Sequence, residues 1–201
     1  IRYWIFDLDN TLYPNTTNLF DGVDALMCKF IEDNLDVTPM EALKIKDTYF
    51  HEHGTTLNGL MKNHKVDADK FLEFVHDIDY SLLQKDEELG EQIKKLPGEK
   101  IIFTNGTKKH AQKVTQQLGI ENNFNKIFDI VDAKFIPKPE IEPYHSLIAK
   151  YNIEAKNSIF IEDIAKNLLP AHELGMKTAW IENDDSYCKE GYDGKHVNYN
   201  V

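Results

Sequence analysis

The sequence predicts an α/β fold, a parallel sheet interrupted after its first strand by an all-helical insertion. Three observations predict it. Five short apolar runs, at residues 3–8, 100–104, 127–131, 158–161 and 178–181, are too brief for helices and rich in β-branched and aromatic side chains, so they read as buried strands. The last four alternate with helical stretches, the pattern of right-handed crossovers between parallel strands. Residues 13–90 carry helical periodicity and no strand pattern.

The first run, opening at Ile1-Arg2-Tyr3-Trp4-Ile5-Phe6, reads as a strand and not as a leader segment. In 18–34, Leu19, Phe20, Val23, Leu26, Met27, Phe30 and Ile31 recur near a 3.6-residue spacing, which predicts an amphipathic helix. Thr38-Pro39-Met40-Glu41 is a capping box with proline at the first helical position, starting a helix that runs to about His53. Helices are expected at 56–63, at 67–77 with Asp67 as N-cap, and at 86–96, the last leading back to the sheet. Between the later strands, 107–118 ends at Gly119, 143–151 opens on a proline in its first turn, and 164–174 ends at Gly175. The polar tail from Asn183 is expected to be loop or a short edge strand. These elements divide the chain into a sheet core, residues 1–14 and 91–201, and a helical unit, residues 15–90.

Composition narrows the function. The chain has 201 residues, a net charge of −11, 41% hydrophobic and 11% aromatic residues, enough for a true core. So acidic a chain is a poor partner for nucleic-acid polymers or anionic membrane surfaces. The charge is uneven: residues 13–90 hold sixteen acids against seven lysines, whereas residues 91–181 hold eleven acids against thirteen. Arg2 is the single arginine, so an anion held by this protein is expected to meet a lysine. Cys28 and Cys188 do not make a disulfide framework and read as reduced thiols of a cytoplasmic protein. No run of about 18 apolar residues predicts a membrane span. A monomer or homodimer is expected.

In open parallel sheets, ligands sit at the carboxyl ends of the strands. Four strand ends here carry polar residues. Asp7, Asp9, Asn10 and Thr11 follow the first, and Thr104-Asn105-Gly106-Thr107 follow the second. Lys138-Pro139 lies in the loop after the third, and Glu162-Asp163 follow the fourth, with Asn167 four residues on. One such cluster is easily a set of turn and cap residues, but four at one edge point to a site. Asp7 and Asp9, two apart on an extended chain, face the same way. With Glu162 and Asp163 they put four carboxylates in one cleft, which repel unless a cation holds them. An all-oxygen set selects a hard ion, Mg²⁺. Thr104, Asn105 and Gly106 offer a hydroxyl and N–H groups just before a helix, an anion pocket, and Lys138 adds a cation. This combination suits phosphoryl transfer, with water hydrolysing an aspartyl phosphate.

Phe6-Asp7-Leu8-Asp9-Asn10-Thr11-Leu12-Tyr13-Pro14 resembles the first motif of the haloacid dehalogenase superfamily. Ile102-Phe103-Thr104-Asn105-Gly106 resembles its second, Lys138-Pro139 its third and Ile159-Phe160-Ile161-Glu162-Asp163 its fourth, in order over nearly the whole chain. The resemblance implies a Rossmann-like core with a helical cap, and the 94 residues between Asp9 and Thr104 match the cap's place. It implies Asp7 as nucleophile and Mg²⁺ ligand, and Asp9 as acid then base, ligating through its carbonyl. Thr104, Asn105 and Gly106 would hold phosphoryl oxygens, and Lys138 would steady them and Asp7. Asp163 would be a direct metal ligand, and Glu162 a ligand directly or through water, with Thr11 and Asn167 supporting that shell. Glu162 stands where many relatives carry Asp. Asp9 argues against true dehalogenation.

Within the superfamily, Asn10-Thr11-Leu12-Tyr13-Pro14, Phe103-Thr104-Asn105-Gly106 with His110 beyond, and Gly54-Thr55-Thr56-Leu57-Asn58-Gly59-Leu60 resemble pyrimidine 5′-nucleotidase-like members. This implies a small phosphorylated metabolite, a nucleoside monophosphate such as UMP or CMP, with Thr55 and Thr56 as candidate substrate contacts. His51 and His53 diverge on a helix and make no zinc pair, and His110 reads as a packed or capping residue. Sugar-phosphate hydrolysis, a phosphomutase, a receiver-like domain and a non-catalytic phospho-ligand binder are the other readings. A receiver lacks the insertion and leaves Asp9 unexplained, and a binder requires a distorted site.

Overall fold

A computed structural model describes residues 1–183 and 186–201. Six parallel strands form one sheet: β1 (Tyr3–Phe6), β2 (Glu99–Phe103), β3 (Lys126–Phe128), β4 (Ser158–Glu162), β5 (Lys177–Trp180) and β6 (Tyr199–Asn200), in the spatial order β3-β2-β1-β4-β5-β6. β1 is central, with Phe6 in register with Ile102 of β2 and Ile161 of β4.

Both faces of the sheet are covered, which is why its strands read as continuous apolar runs. Ile5, Ile101, Phe103, Phe128, Phe160 and Trp180 pack on one face with α7 (Ile141–Tyr151) and α8 (Ala165–Glu173). Phe6, Leu8, Leu12 and Ile102 pack on the other with α5 (Glu87–Lys95) and α6 (Lys108–Leu118). Phe103 meets Phe128 and Tyr144 edge-on at ring-centroid distances of 5.5 and 5.0 Å, favourable for aromatic pairs.

Four further helices follow β1: α1 (Leu19–Leu35), α2 (Pro39–His53), α3 (Thr56–His64) and α4 (Ala68–Val75). They gather their own apolar core from Val23, Phe30, Ile31, Leu60, Phe71 and Val75. The capping box of α2 forms as its sequence predicts, with Thr38 Oγ1 accepting from Glu41 N–H and Glu41 accepting from Thr38 N–H. Asp67 caps α4.

Three local readings change. The boundary expected after residue 90 falls inside α5, because Leu83 and Ile93 pack on the sheet face and not among the four helices. β3 ends at Phe128 because Asp129 turns aside to accept the N–H groups of Lys108 and Asp132, at 2.7 and 2.9 Å. α7 begins two residues before Pro143, which is tolerated because the first turn's N–H groups need no helical partner. In the tail, residues 199–200 pair with β5 as an edge strand, while Asp184 and Asp185 lie outside the described residues. Among the described residues no helix is long and apolar enough to cross a membrane.

Candidate active site

The site lies at the carboxyl edge of the central strands, at the tips of β1, β2 and β4. Asp7 leaves β1 with its N–H donated to Ile161 O, so β4 fixes its backbone. Lys138 reaches in from the loop after β3 and is almost fully buried, at 2% exposure. Its Nζ donates to Asp7 Oδ1 at 2.6 Å, to Glu162 Oε2 at 2.6 Å and to Phe103 O at 3.1 Å. All three ammonium protons are thereby used.

Asn105 explains how that lysine is held. Its Oδ1 accepts Lys138 N–H at 2.9 Å and its Nδ2 donates to Lys138 O at 3.4 Å. The Asn105 side chain therefore grips the lysine's backbone. Thr104 Oγ1 accepts Gly106 N–H at 2.9 Å, closing the turn before α6. A side chain at 106 would meet the His110 ring and Thr104 Oγ1 at 3.3 Å and Asp9 Oδ2 at 3.7 Å, so glycine keeps this pocket open.

Asp7, Glu162 and Asp163 are all buried, with one carboxylate oxygen of each within 4.8 Å of the others. Burial and then the Glu162 charge raise Asp7 to about 7, although Lys138 pulls it down. Burial, Glu162 and Asp7 raise Asp163 well above the usual carboxylate range. One ammonium therefore undercompensates three carboxylates. An all-oxygen, anionic, buried cluster matches the demands of a hard divalent cation such as Mg²⁺. Glu162 Oε1 also accepts Ile164 N–H, and Asp163 receives Trp180 Nε1–H on its carbonyl and Cys188 Sγ–H on Oδ2.

Asp9 stands apart from that cluster. Its Oδ1 accepts the Tyr13 hydroxyl at 2.6 Å and faces His110 Nε2 at 2.7 Å. Burial pushes its carboxyl up, but the His110 charge and the hydrogen bonds from His110 and Tyr13 outweigh this and hold it below the ordinary range. A phosphate anion alongside would push the other way. His110 is itself held: Nδ1 meets the Tyr80 hydroxyl at 2.9 Å and the ring stacks on His76 at 4.4 Å.

The remaining expected residues divide. Thr11 Oγ1 and Asn10 Oδ1 are buried and have no partner among the described residues, next to a left-handed backbone at Asn10. Asn167 is buried in the first turn of α8, where its carbonyl accepts the Tyr144 hydroxyl. Thr55 caps α3 by accepting Asn58 N–H, and its neighbour Gly54 sits on the Lys138-Pro139 loop, with space for a Cβ only 3.3 Å from Lys138 O. Thr56 is not brought to the site: it is buried among the helices and its hydroxyl is donated to Lys46 O. His51 and His53 belong to no metal-type cluster among the described residues.

Tyr13, His76, Tyr80 and His110 were not read from the sequence as site residues. One signal was available. Leu12 N–H bonds Leu8 O, closing a tight turn through the left-handed Asn10, and Tyr13 follows it so that its hydroxyl returns to Asp9, four residues back. His110 and Asp9 are 101 positions apart, and no local pattern joins them.

A family model for haloacid dehalogenase-like hydrolases matches residues 4–181. The chain is 28% identical over 193 residues to phosphate metabolism protein 8 of Saccharomyces cerevisiae, covering 87% of this chain and 60% of that protein, so it spans about three fifths of that relative. A HAD phosphatase from Thermococcus onnurineus superposes with a TM-score of 0.65 at 16% identity, covering 100% of this chain and 93% of that one. The magnesium-bound HAD-hydrolase YfnB of Bacillus subtilis superposes at 0.60 with 18% identity and the same coverage. These structures share the fold. The family match reaches from β1 through β5 and includes every strand end that carries the site, and the chain belongs to the haloacid dehalogenase-like hydrolases.

Proposed function

We propose that this hydrolase is a Mg²⁺-dependent phosphomonoesterase working through an aspartyl phosphate on Asp7, with pyrimidine nucleoside 5′-monophosphates of the UMP and CMP type as its substrates. The observation that carries the reading is the pairing of two differently treated aspartates: Asp7 beside Lys138 and two acids, Asp9 beside two hydrogen-bonding partners. Different surroundings support giving the two carboxyls different roles, Asp7 as nucleophile and Asp9 as acid–base group.

Asp7, Glu162, Asp163 and the Asp9 carbonyl would hold the ion, which supplies charge to the transferring phosphoryl oxygens. Lys138 orients Asp7 and adds positive charge at the same place. One Asp7 oxygen bonds to phosphorus as the ester P–O bond breaks, and Asp9 hands a proton to the departing alkoxide. Asp9 then takes a proton from water as that water attacks the Asp7 phosphoryl group, releasing phosphate and restoring the carboxylate. Thr104 and the backbone N–H groups of Asn105 and Gly106 line the phosphoryl pocket. Helices α1–α4 act as a cap, and the seat of Gly54 on the Lys138-Pro139 loop supports placing Thr55 close to the substrate. The subgroup resemblance supports the nucleotide class, and the similarity to a phosphate metabolism protein over 87% of the chain supports action on a phosphorylated compound.

The test is phosphate release, with and without Mg²⁺, from a panel of pyrimidine and purine monophosphates and sugar phosphates. Preference for UMP or CMP is the expected result. Equal rates across the panel would remove the nucleotide assignment and leave the phosphatase.

A further inference from the structure

Resting on that reading, we propose that Tyr13 and His110 are positioning residues that clamp Asp9 through one oxygen, making Oδ2 the only oxygen through which it exchanges protons with substrate and water. Both partners converge on Oδ1, at 2.6 and 2.7 Å. Oδ2 is turned toward the empty side of Gly106, 3.7 Å from where a side chain there would begin. With both Oδ1 lone pairs occupied, a proton that the carboxyl takes up sits on Oδ2.

The clamp is itself rigid. Tyr13 is 3% exposed and directly follows the turn that carries Asp9. His110 is 1% exposed, its N–H accepted by Thr107 Oγ1 at the start of α6, its Nδ1 against Tyr80, and its ring stacked on His76. Tyr80 in turn donates to His76 O. The helical insertion thus reaches the acid–base group through His76 and the segment just after α4. Freed of these partners, the carboxylate rotates and either oxygen faces the ester at random. Proton delivery loses its geometry, while Asp7, Lys138 and the acidic cluster are untouched.

Leaving-group dependence separates this role from a structural one. kcat/KM reports the steps through departure of the first product. An activated phenol leaves with little help from an acid, whereas a poor leaving group depends on it. Tyr13→Phe, which keeps the ring, and His110→Gln are compared with the wild type on phenyl phosphate and p-nitrophenyl phosphate, and thermal melts check that each variant is folded. The expected result is a loss of about tenfold or more in kcat/KM on phenyl phosphate, with p-nitrophenyl phosphate nearly unchanged. Equal losses on both esters, or no loss on either, would overturn the clamp. A wild-type chain that releases phosphate from neither ester would overturn the phosphatase reading and the clamp with it.

Discussion

Lys138 Nζ and Asp7 Oδ1 stand 2.6 Å apart although 131 positions separate them in the chain. The same ammonium serves Glu162 at equal distance, and both acids are buried. Lys138 is thus the sole ammonium within hydrogen-bonding reach of the three-carboxylate cluster among the described residues.

Lys138→Ala leaves that cluster without its cation. Breaking a buried ion pair costs about 3–5 kcal/mol because the remaining charges stay desolvated. Urea unfolding at neutral pH without metal is expected to show a loss of that order, reduced under mild acid as the carboxyls protonate. Lys138→Arg should not restore the wild type, since a planar fork does not replace a point donor in this enclosed place.

Asp7→Asn removes the proposed nucleophile and one member of the acidic cluster while keeping the shape of the side chain. Mg²⁺-dependent phosphate release from p-nitrophenyl phosphate is expected to vanish, with the circular-dichroism spectrum unchanged. Full activity in that variant would refute the nucleophile assignment.

The pH dependence of stability has a definite sign. Asp7 is raised to about 7 in the folded chain, so between an unfolded value near 3.8 and about 7 the folded state binds the extra proton. Its contribution therefore makes the metal-free protein more stable as pH falls from 7 toward 4. His76 works the other way: burial and then the His110 charge lower it to about 3, so acid disfavours the fold through that ring. The difference in melting temperature between wild type and Asp7→Asn, followed from pH 7.5 to 4.5, isolates the Asp7 part, and the wild type should gain relative to the variant as pH drops. Mg²⁺ should raise the wild-type melting temperature more at pH 7 than at pH 5, where protons compete for the same oxygens.

Gly59→Ala tests the packing of the helical layer. A Cβ there would overlap Tyr49 and come within 2.8 Å of the His53 ring, so α2 and α3 would have to separate. Overpacking of this kind costs about 1–3 kcal/mol. Chemical denaturation should report it, with a smaller change in kcat than in stability.

Much of this was legible because the governing patterns are local. Strands buried on both faces announce themselves as apolar runs, helix starts by Thr38-Pro39-Met40-Glu41 and Asp67, and the candidate site's edge by polar residues at the strand ends. What escaped depends on contacts made across the fold. His110 reads as a helix residue until Asp9 arrives from 101 positions away. Thr56 looks like a substrate contact until its hydroxyl is found on Lys46 O. β3 loses its last residues to the carboxylate of Asp129, whose partners lie on α6 and in the following turn.

The central place of β1 also sets when the enzyme becomes competent. Its ladder to β4 joins residues 3–6 to 158–161, so the middle of the sheet closes only after residue 161 exists. Chains emerge amino-terminus first, and contacts this distant in sequence form late. A nascent chain holds Asp7 early, gains Lys138 much later, and acquires Glu162 and Asp163 last. The acidic cluster in this architecture is complete only once β4 is in place, and the onset of the proposed phosphate release during refolding should coincide with the zipping of β4 beside β1.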